Sequence, residues 1–314
     1  MIQSSSNPLH HLITLEGLSK IQLFDILDLA ESLHKNPENL SKYQSKIAAH
    51  HVMVSLFFEP STRTRLSFEL AAKRCGINTL IFDSDTASTQ KGECLLDTFQ
   101  TLEAMGCTLF VVRHAEAGIV ATLANHAQSQ TVLINAGDGD RAHPTQGLLD
   151  AYTIRQHKGS DFTQRSVLIV GDIIHSRVAQ SNLHALRTLG VPDIRFCGPS
   201  SLLPKSNIEG VRLFDSLDEA LKDVDVIMTL RVQKERFVDQ TAIPNEQTYA
   251  KHFGLTAQRL KHAEPNALVM HPGPINRGVE IESEVADGAQ SVILQQVNNG
   301  VYVRMAVMLK LLCS

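Results

Sequence analysis

The chain has 314 residues, 43% of them hydrophobic and 20% charged, with a formal net charge of −4. This is the make-up of an ordinary globular protein with room for a sizeable core, and its acidic balance argues against general nucleic-acid binding by bulk electrostatics. The five cysteines are odd in number, widely spaced and without a C-x-x-C pair, which suggests neither a disulfide framework nor a zinc site.

The length suggests two domains at roughly 150 residues each. Met1 to His11 lacks the charged start and apolar core of a signal peptide. No apolar run approaches the ~20 residues of a membrane span, so the expected setting is the reducing cytoplasm.

Residues 1–14 read as a lead-in of low structural content. From Leu18 to Leu33 the set Ile21, Phe24, Leu27, Leu29, Ala30 and Leu33 predicts an amphipathic helix, ended by Asn36-Pro37. Val52 to Phe57 is apolar, β-branched and aromatic, and reads as a buried strand. Phe58-Glu59-Pro60-Ser61-Thr62-Arg63-Thr64-Arg65 follows, and then Leu66, Leu70, Lys73 and Arg74 at helical spacing, with Ser61 or Thr62 as the N-cap. A strand-to-helix turn crowded with Ser, Thr and Arg suits an anion, because free backbone N–H groups and the helix dipole already favour one. Two readings stand for this stretch alone: a phosphate site, or a capped helix with two solvated arginines.

Thr79 to Phe82 is a second short strand, and Ser84 to Glu93 a polar loop containing Lys91. Leu95, Leu96, Phe99, Leu102 and Met105 mark a helix closed by Gly106. Thr108 to Val112 is a strand running into Arg113-His114, and after another short helix Thr131 to Ile134 leads into Asn135 to Gln146. Leu148, Leu149, Tyr152 and Ile154 sit on the next helix, with Pro144 in its first turn. This βα alternation is the pattern of a parallel sheet covered by helices, whose functional groups gather at the carboxyl ends of the strands.

Lys158-Gly159-Ser160-Asp161 reads as a domain boundary. A second alternation begins with Ser166 to Asp172, and Ser176-Arg177 enters a helix ending near Gly190. Asp193 to Cys197, Val224 to Met228 and Ala267 to Met270 are further strands, with a short helix at Leu217 to Leu221 and a long closing helix at about 291–312. The fold class read from this is α/β, as two doubly wound parallel-sheet domains with a cleft between them.

Gly171-Asp172 ends a strand but is not followed by G-x-G-x-x-G, so a structural turn is favoured over a dinucleotide site. His143 lies in a Gly-rich turn with Gln146 three residues on, so both could face one ligand. The remaining histidines lack metal-type spacing, and no serine or cysteine has a base partner, which disfavours metal and covalent catalysis. Arg231 and Gln233 could project to the same side of a strand end and suit a carboxylate, although Lys234 and Arg236 also allow a solvated basic run. In sum, Ser61 to Arg65, Lys91, Arg113, Arg177 and Arg231 stand at strand ends or in a long loop of an acidic protein. That distribution points to a highly anionic small ligand.

Eight runs carry a resemblance: Phe57 to Arg65, Lys91-Gly92-Glu93, Val112-Arg113-His114, Asn135 to Gly139, His143-Pro144-Thr145-Gln146, Gly171 to Arg177, Arg231 to Arg236 and Met270 to Gly278. In these the chain resembles the catalytic chains of the aspartate/ornithine carbamoyltransferase superfamily over nearly its whole length. Arg231 to Arg236 resembles the aspartate branch, and Pro272 stands where the ornithine branch has cysteine.

The resemblance implies transfer of a carbamoyl group from carbamoyl phosphate to L-aspartate, the committed step of pyrimidine biosynthesis, with no cofactor and no metal. Rival readings are a carbamoyltransferase for another amino acid and a non-catalytic scaffold homologue. It implies a carbamoyl phosphate domain at 1–157, joined by a returning C-terminal helix at about 291–314, and an aspartate domain at 158–290.

By resemblance, Ser61, Thr62, Arg63, Thr64, Arg113, His143 and Gln146, with Pro272, Gly273 and Pro274, bind carbamoyl phosphate. Arg63, Thr64, Arg113 and His143 are the expected catalytic groups, and Lys91, Arg177, Arg231 and Gln233 the aspartate contacts. Ser88 and Lys91 would come from the adjacent subunit of a homotrimer with shared active sites. A regulatory chain or a dihydroorotase is a possible further partner; nucleic acid and membrane are not. Some members differ in having two adjacent lysines where this chain has Gln90-Lys91, and leucine where it has Gly273.

Overall fold

The structure is a computed structural model and describes residues 9–47, 51–82, 94–232 and 245–313. These divide into two compact units, one drawn from Met1–Tyr152 with Asn299–Ser314 and the other from Thr153–Asn298. The division falls inside a continuous helix (Pro144–Lys158), whose last residue bonds through Lys158 Nζ to the Asn266 carbonyl at 2.8 Å.

The first unit runs α1 (Lys20–Lys35), α2 (Ser41–Ile47), β1 (Val52–Phe57), α3 (Thr62–Cys75), β2 (Asn78–Ile81), α4 (Leu95–Ala104), β3 (Leu109–His114), α5 (Ile119–His126), β4 (Val132–Asp138) and α6 (Pro144–Lys158). Its strands pair in parallel in the order β2-β1-β3-β4. The second unit runs β5 (Ser166–Val170), α7 (Arg177–Leu189), β6 (Asp193–Cys197), β7 (Val211–Phe214), α8 (Leu217–Ala220), β8 (Val226–Thr229), α9 (Glu246–Phe253), α10 (Ala257–Leu260), β9 (Leu268–Met270), α11 (Ser283–Ala286) and α12 (Ile293–Leu312). Its sheet is also parallel, ordered β7-β6-β5-β8-β9. Helices cover both faces of each sheet, as the near-continuous burial of β1, β3, β4 and β5 requires.

Apolar stripes, in some helices joined by a side-chain cap, account for the helices. Ser19 and Gln22 make a reciprocal capping box at α1, at 3.2 and 2.9 Å, above a face of Leu23, Ile26, Leu27, Ala30 and Leu33. Ile21, expected on that face, is 51% exposed. In α3 the inward face is Phe68, Ala71, Ala72 and Cys75. Leu66 and Leu70, which the spacing put forward, each lie two residues and so about 200° from Phe68, and both are exposed. Met105 is the C-cap of α4 and also exposed.

The lead-in is more structured than its composition suggested. Leu12 is fully buried and bridges in parallel to Ile134 on β4, donating to the Leu133 carbonyl and accepting from Asn135 N–H. It thereby covers the free edge of that strand.

The C-terminal part of α12 belongs to the first unit. Tyr302 stacks on His34 with ring centres 4.2 Å apart, and His34 Nδ1 is 3.1 Å from Tyr152 Oη. Arg304 is buried, with its guanidinium 4.8 Å from the centre of the Phe68 ring on α3. Burial pulls the Arg304 pKa down to about 10 against the opposing charge of Asp150 on α6. Gly300, one turn earlier, makes the room. A Cβ there would stand 2.4 Å from an Arg304 nitrogen and 3.2 Å from Leu149.

Candidate active site

The strand orders decide where functional groups can gather. In the first sheet the chain leaves β1 for β2 on one side, then crosses to β3 on the other. The reversal opens a crevice beyond the carboxyl ends of β1 and β3, where open α/β sheets bind ligands. The second sheet reverses between β5 and β8.

At the first reversal β1 runs through Phe58 to Pro60 into α3. Ser61 is the N-cap residue, but its side chain makes no capping bond, while its carbonyl accepts from Arg65 N–H at 3.1 Å. Thr62 and Arg63 are exposed, and Ser61 and Thr64 are half-buried. The first turn of α3 thus presents polar side chains at a helix start, where the dipole favours an anion. Arg65 is drawn toward Glu69 one turn on, 3.6 Å away.

Arg113 lies beside this turn. It is in register with Phe57 across β1 and β3, and its carbonyl accepts from Phe58 N–H at 2.9 Å. Arg113 is 8% exposed, and its side chain donates to the Ala136 carbonyl at 3.1 Å and to Glu59 Oε1 at 2.8 Å. Glu59 belongs to the Phe57 to Arg65 run, but sequence reasoning gave it no role. It restrains a cation that would otherwise swing on a long side chain.

β4, next to β3, delivers His143 and α6. Asp138 bridges back to Ala142, and both Asp138 oxygens sit 3.0 Å from Gly118 N, which ties the turn to the start of α5. His143 and Gln146 are buried. Gln146 Nε2 donates to Asp150 Oδ1 at 2.9 Å. An ionised carboxylate only accepts, so this bond fixes the amide with its NH2 toward Asp150 and leaves Oε1 for an incoming N–H. Asp150 was also missed, although its spacing of four from Gln146 on a helix is a readable signal.

In the second unit Ser176 caps α7, accepting from Ala179 N–H at 3.2 Å, and Arg177 is the buried first residue of that helix. A cation and a helix start there act together on an anion. Asp172, fully buried, accepts from the His175 ring at 2.9 Å just upstream. Arg231 follows β8, the strand paired with β5. The two strand ends are packed closely at Gly171, which has φ +138° and where a Cβ would stand 2.7 Å from the Leu230 carbonyl oxygen. β9, the neighbour of β8, ends in His271-Pro272-Gly273-Pro274.

The structure therefore gathers Ser61, Thr62, Arg63, Thr64, Arg113, His143 and Gln146 at adjacent strand ends of one sheet. Arg177, Arg231, Pro272, Gly273 and Pro274 stand at adjacent strand ends of the other. Ser88, Lys91 and Gln233 lie outside the described residues.

Residues 10–156 match the family described as aspartate/ornithine carbamoyltransferase, carbamoyl-P binding domain, and residues 163–311 match the corresponding Asp/Orn binding domain. The chain is 52% identical to the aspartate carbamoyltransferase catalytic subunit of Stenotrophomonas maltophilia, over 98% of each chain. It is 53% identical to that of Xanthomonas euvesicatoria over the same share. Among solved structures it is similar to the catalytic subunit of M. jannaschii aspartate transcarbamoylase, with a TM-score of 0.81 and 33% identity over 96% of this chain and 98% of that one. It is also similar to the Trypanosoma cruzi enzyme in complex with carbamoyl phosphate, with a TM-score of 0.84 and 27% identity over 97% and 98%. With both family domains matched across most of its length, the chain belongs to the aspartate/ornithine carbamoyltransferase family.

Proposed function

We propose that this chain is an aspartate carbamoyltransferase, converting carbamoyl phosphate and L-aspartate to N-carbamoyl-L-aspartate and phosphate in pyrimidine biosynthesis. The observation that carries the reading is the coincidence of cationic and polar groups with both sheet reversals: Arg63 and Arg113 at one, Arg177 and Arg231 at the other.

Each substrate carries about two negative charges, so their encounter is strongly repulsive without fixed cations. In the proposed mechanism Ser61, Thr62, Arg63 and Thr64 hold the phosphate at the start of α3. Arg113, steadied by Glu59, and Lys91 add charge there. Thr64, Arg113 and His143 polarise the carbonyl oxygen as it becomes an oxyanion. Gln146 Oε1 and the Pro272 and Gly273 carbonyls accept from the carbamoyl NH2, with Pro274 closing that turn. Arg177 takes the α-carboxylate of aspartate, and Arg231 with Gln233 the β-carboxylate.

The aspartate amine attacks the carbonyl carbon, the bond to phosphate breaks, and the departing phosphate takes the amine proton. Nucleophile and leaving group both come from the substrates, so the chemistry calls for neither cofactor nor metal, only positioning and electrostatics. The proposed enzyme is a cytoplasmic homotrimer, with Ser88 and Lys91 completing a neighbour's site. A regulatory chain or a dihydroorotase is its proposed larger partner. A colorimetric assay for carbamoyl amino acids, run with aspartate, ornithine and related acceptors, tests the reading. Product with aspartate alone supports it; product with another acceptor, or none, overturns it.

A further inference from the structure

The loop after β9 is tied by two buried side chains that the proposed mechanism does not use. His271 is 2% exposed and Glu280 1%. His271 Nδ1 accepts a hydrogen bond from Gly273 N–H at 2.8 Å, so that ring nitrogen is the unprotonated one. The ring proton is then on Nε2, directed at Glu280 Oε1 at 3.1 Å. The same Glu280 oxygen accepts from Asn276 N–H at 2.6 Å. Behind them, the His271 backbone N–H donates to Gln296 Oε1 at 3.0 Å.

Loops at strand ends ordinarily hydrate their backbone. Burying a carboxylate and an imidazole is unfavourable unless their bonds are made well. Here those bonds go to the backbone N–H groups of Gly273 and Asn276, on either side of Pro274. We infer that His271 and Glu280 are positioning residues for the carbamoyl NH2, holding the backbone that carries the Pro272 and Gly273 carbonyls. This rests on the proposed role of those carbonyls. The contact is mediated by the loop, so the pair acts on the end of the substrate that carries nitrogen and leaves phosphate binding untouched.

That selectivity separates positioning from simple stabilisation of the unit. Titration calorimetry on the full chain, with carbamoyl phosphate and with inorganic phosphate as separate probes, reads it directly. The wild type is expected to prefer carbamoyl phosphate. His271→Leu is expected to weaken carbamoyl phosphate binding about tenfold or more, with phosphate affinity unchanged. His271→Asn, whose side-chain oxygen can accept from the N–H two residues on, is expected to restore most of the loss. Should His271→Leu not fold, Asn276→Pro deletes the second backbone tether while keeping both buried side chains, and is expected to give a selective loss of about threefold or more. Equal losses for both ligands, or none, overturn the inference alone. A wild type that does not distinguish the two ligands overturns the role assigned to the carbonyls, and the inference with it.

Discussion

Arg304→Met tests how the first unit is braced. The guanidinium lies 4% exposed over the Phe68 ring, and Asp150, fully buried, holds Gln146. Breaking a buried charge pair by removing one partner costs about 3–5 kcal/mol. Methionine refills part of the volume, and the arginine's own burial penalty disappears, so the net loss should be about 2–4 kcal/mol. At about 2–4 °C per kcal/mol for a unit of this size, the melting temperature should fall by about 4–16 °C. Differential scanning calorimetry at fixed protein concentration measures it. In Arg304→Met/Asp150→Asn both charges of this pair are gone, and the asparagine oxygen can still accept from Gln146, so most of the loss should return. A single variant within 1 kcal/mol of wild type, on the order of a surface change, would refute the reasoning. So would a double variant no more stable than the single.

Arg63→Ala should lose several kcal/mol of transition-state stabilisation, as removal of an oxyanion donor does; a kcat/KM close to wild type would contradict the phosphate assignment. Gly171→Ala meets the Leu230 carbonyl at 2.7 Å from a backbone with φ +138°, and should cost about 2–4 kcal/mol by chemical denaturation; an unchanged midpoint would show that the β5–β8 approach can relax. His11 is held neutral, chiefly by burial and also by His10, with its pKa lowered to about 4, and its Nδ1 accepts from Leu133 N–H at 3.1 Å. The unfolded chain therefore binds the extra proton first. Stability should be unaffected above pH 6.5 and decline as pH falls from 6.5 toward 4. His11→Asn should flatten that decline in a series of melting curves, and an identical slope would remove His11 from the account.

The α/β class was legible because strand cores such as Val52 to Phe57 and Ser166 to Val170 are apolar enough to be recognised without partners. Long-range backbone pairing was not. β3 and β4 extend past their apolar cores to His114 and Asp138 because a parallel neighbour supplies the ladder. β7 went unread because an edge strand with Arg212 at its centre needs only β6 to exist. Side-chain partners divided in the same way. The cations at the sheet reversals were visible as residue types at strand ends. What holds them was not, because Glu59 meets Arg113 across 54 positions and Phe68 meets Arg304 across far more. The exposed Leu66 and Leu70 carry a related lesson: spacing shows that a helix exists, while the facing layer decides which of its stripes is inward.

Gly300 inverts an ordinary rule of protein engineering. A glycine inside a helix costs roughly 1 kcal/mol relative to alanine, which makes it a standard target for stabilisation. In α12 the missing methyl group is the space that the Arg304 guanidinium occupies, with Leu149 closing the far side. The two positions therefore form a single heritable unit. Alanine at 300 requires the Arg304 guanidinium to shift, and shortening residue 304 in turn removes a positive charge that acts with Asp150. A stabilisation screen that ranks helix positions one at a time would miss that coupling.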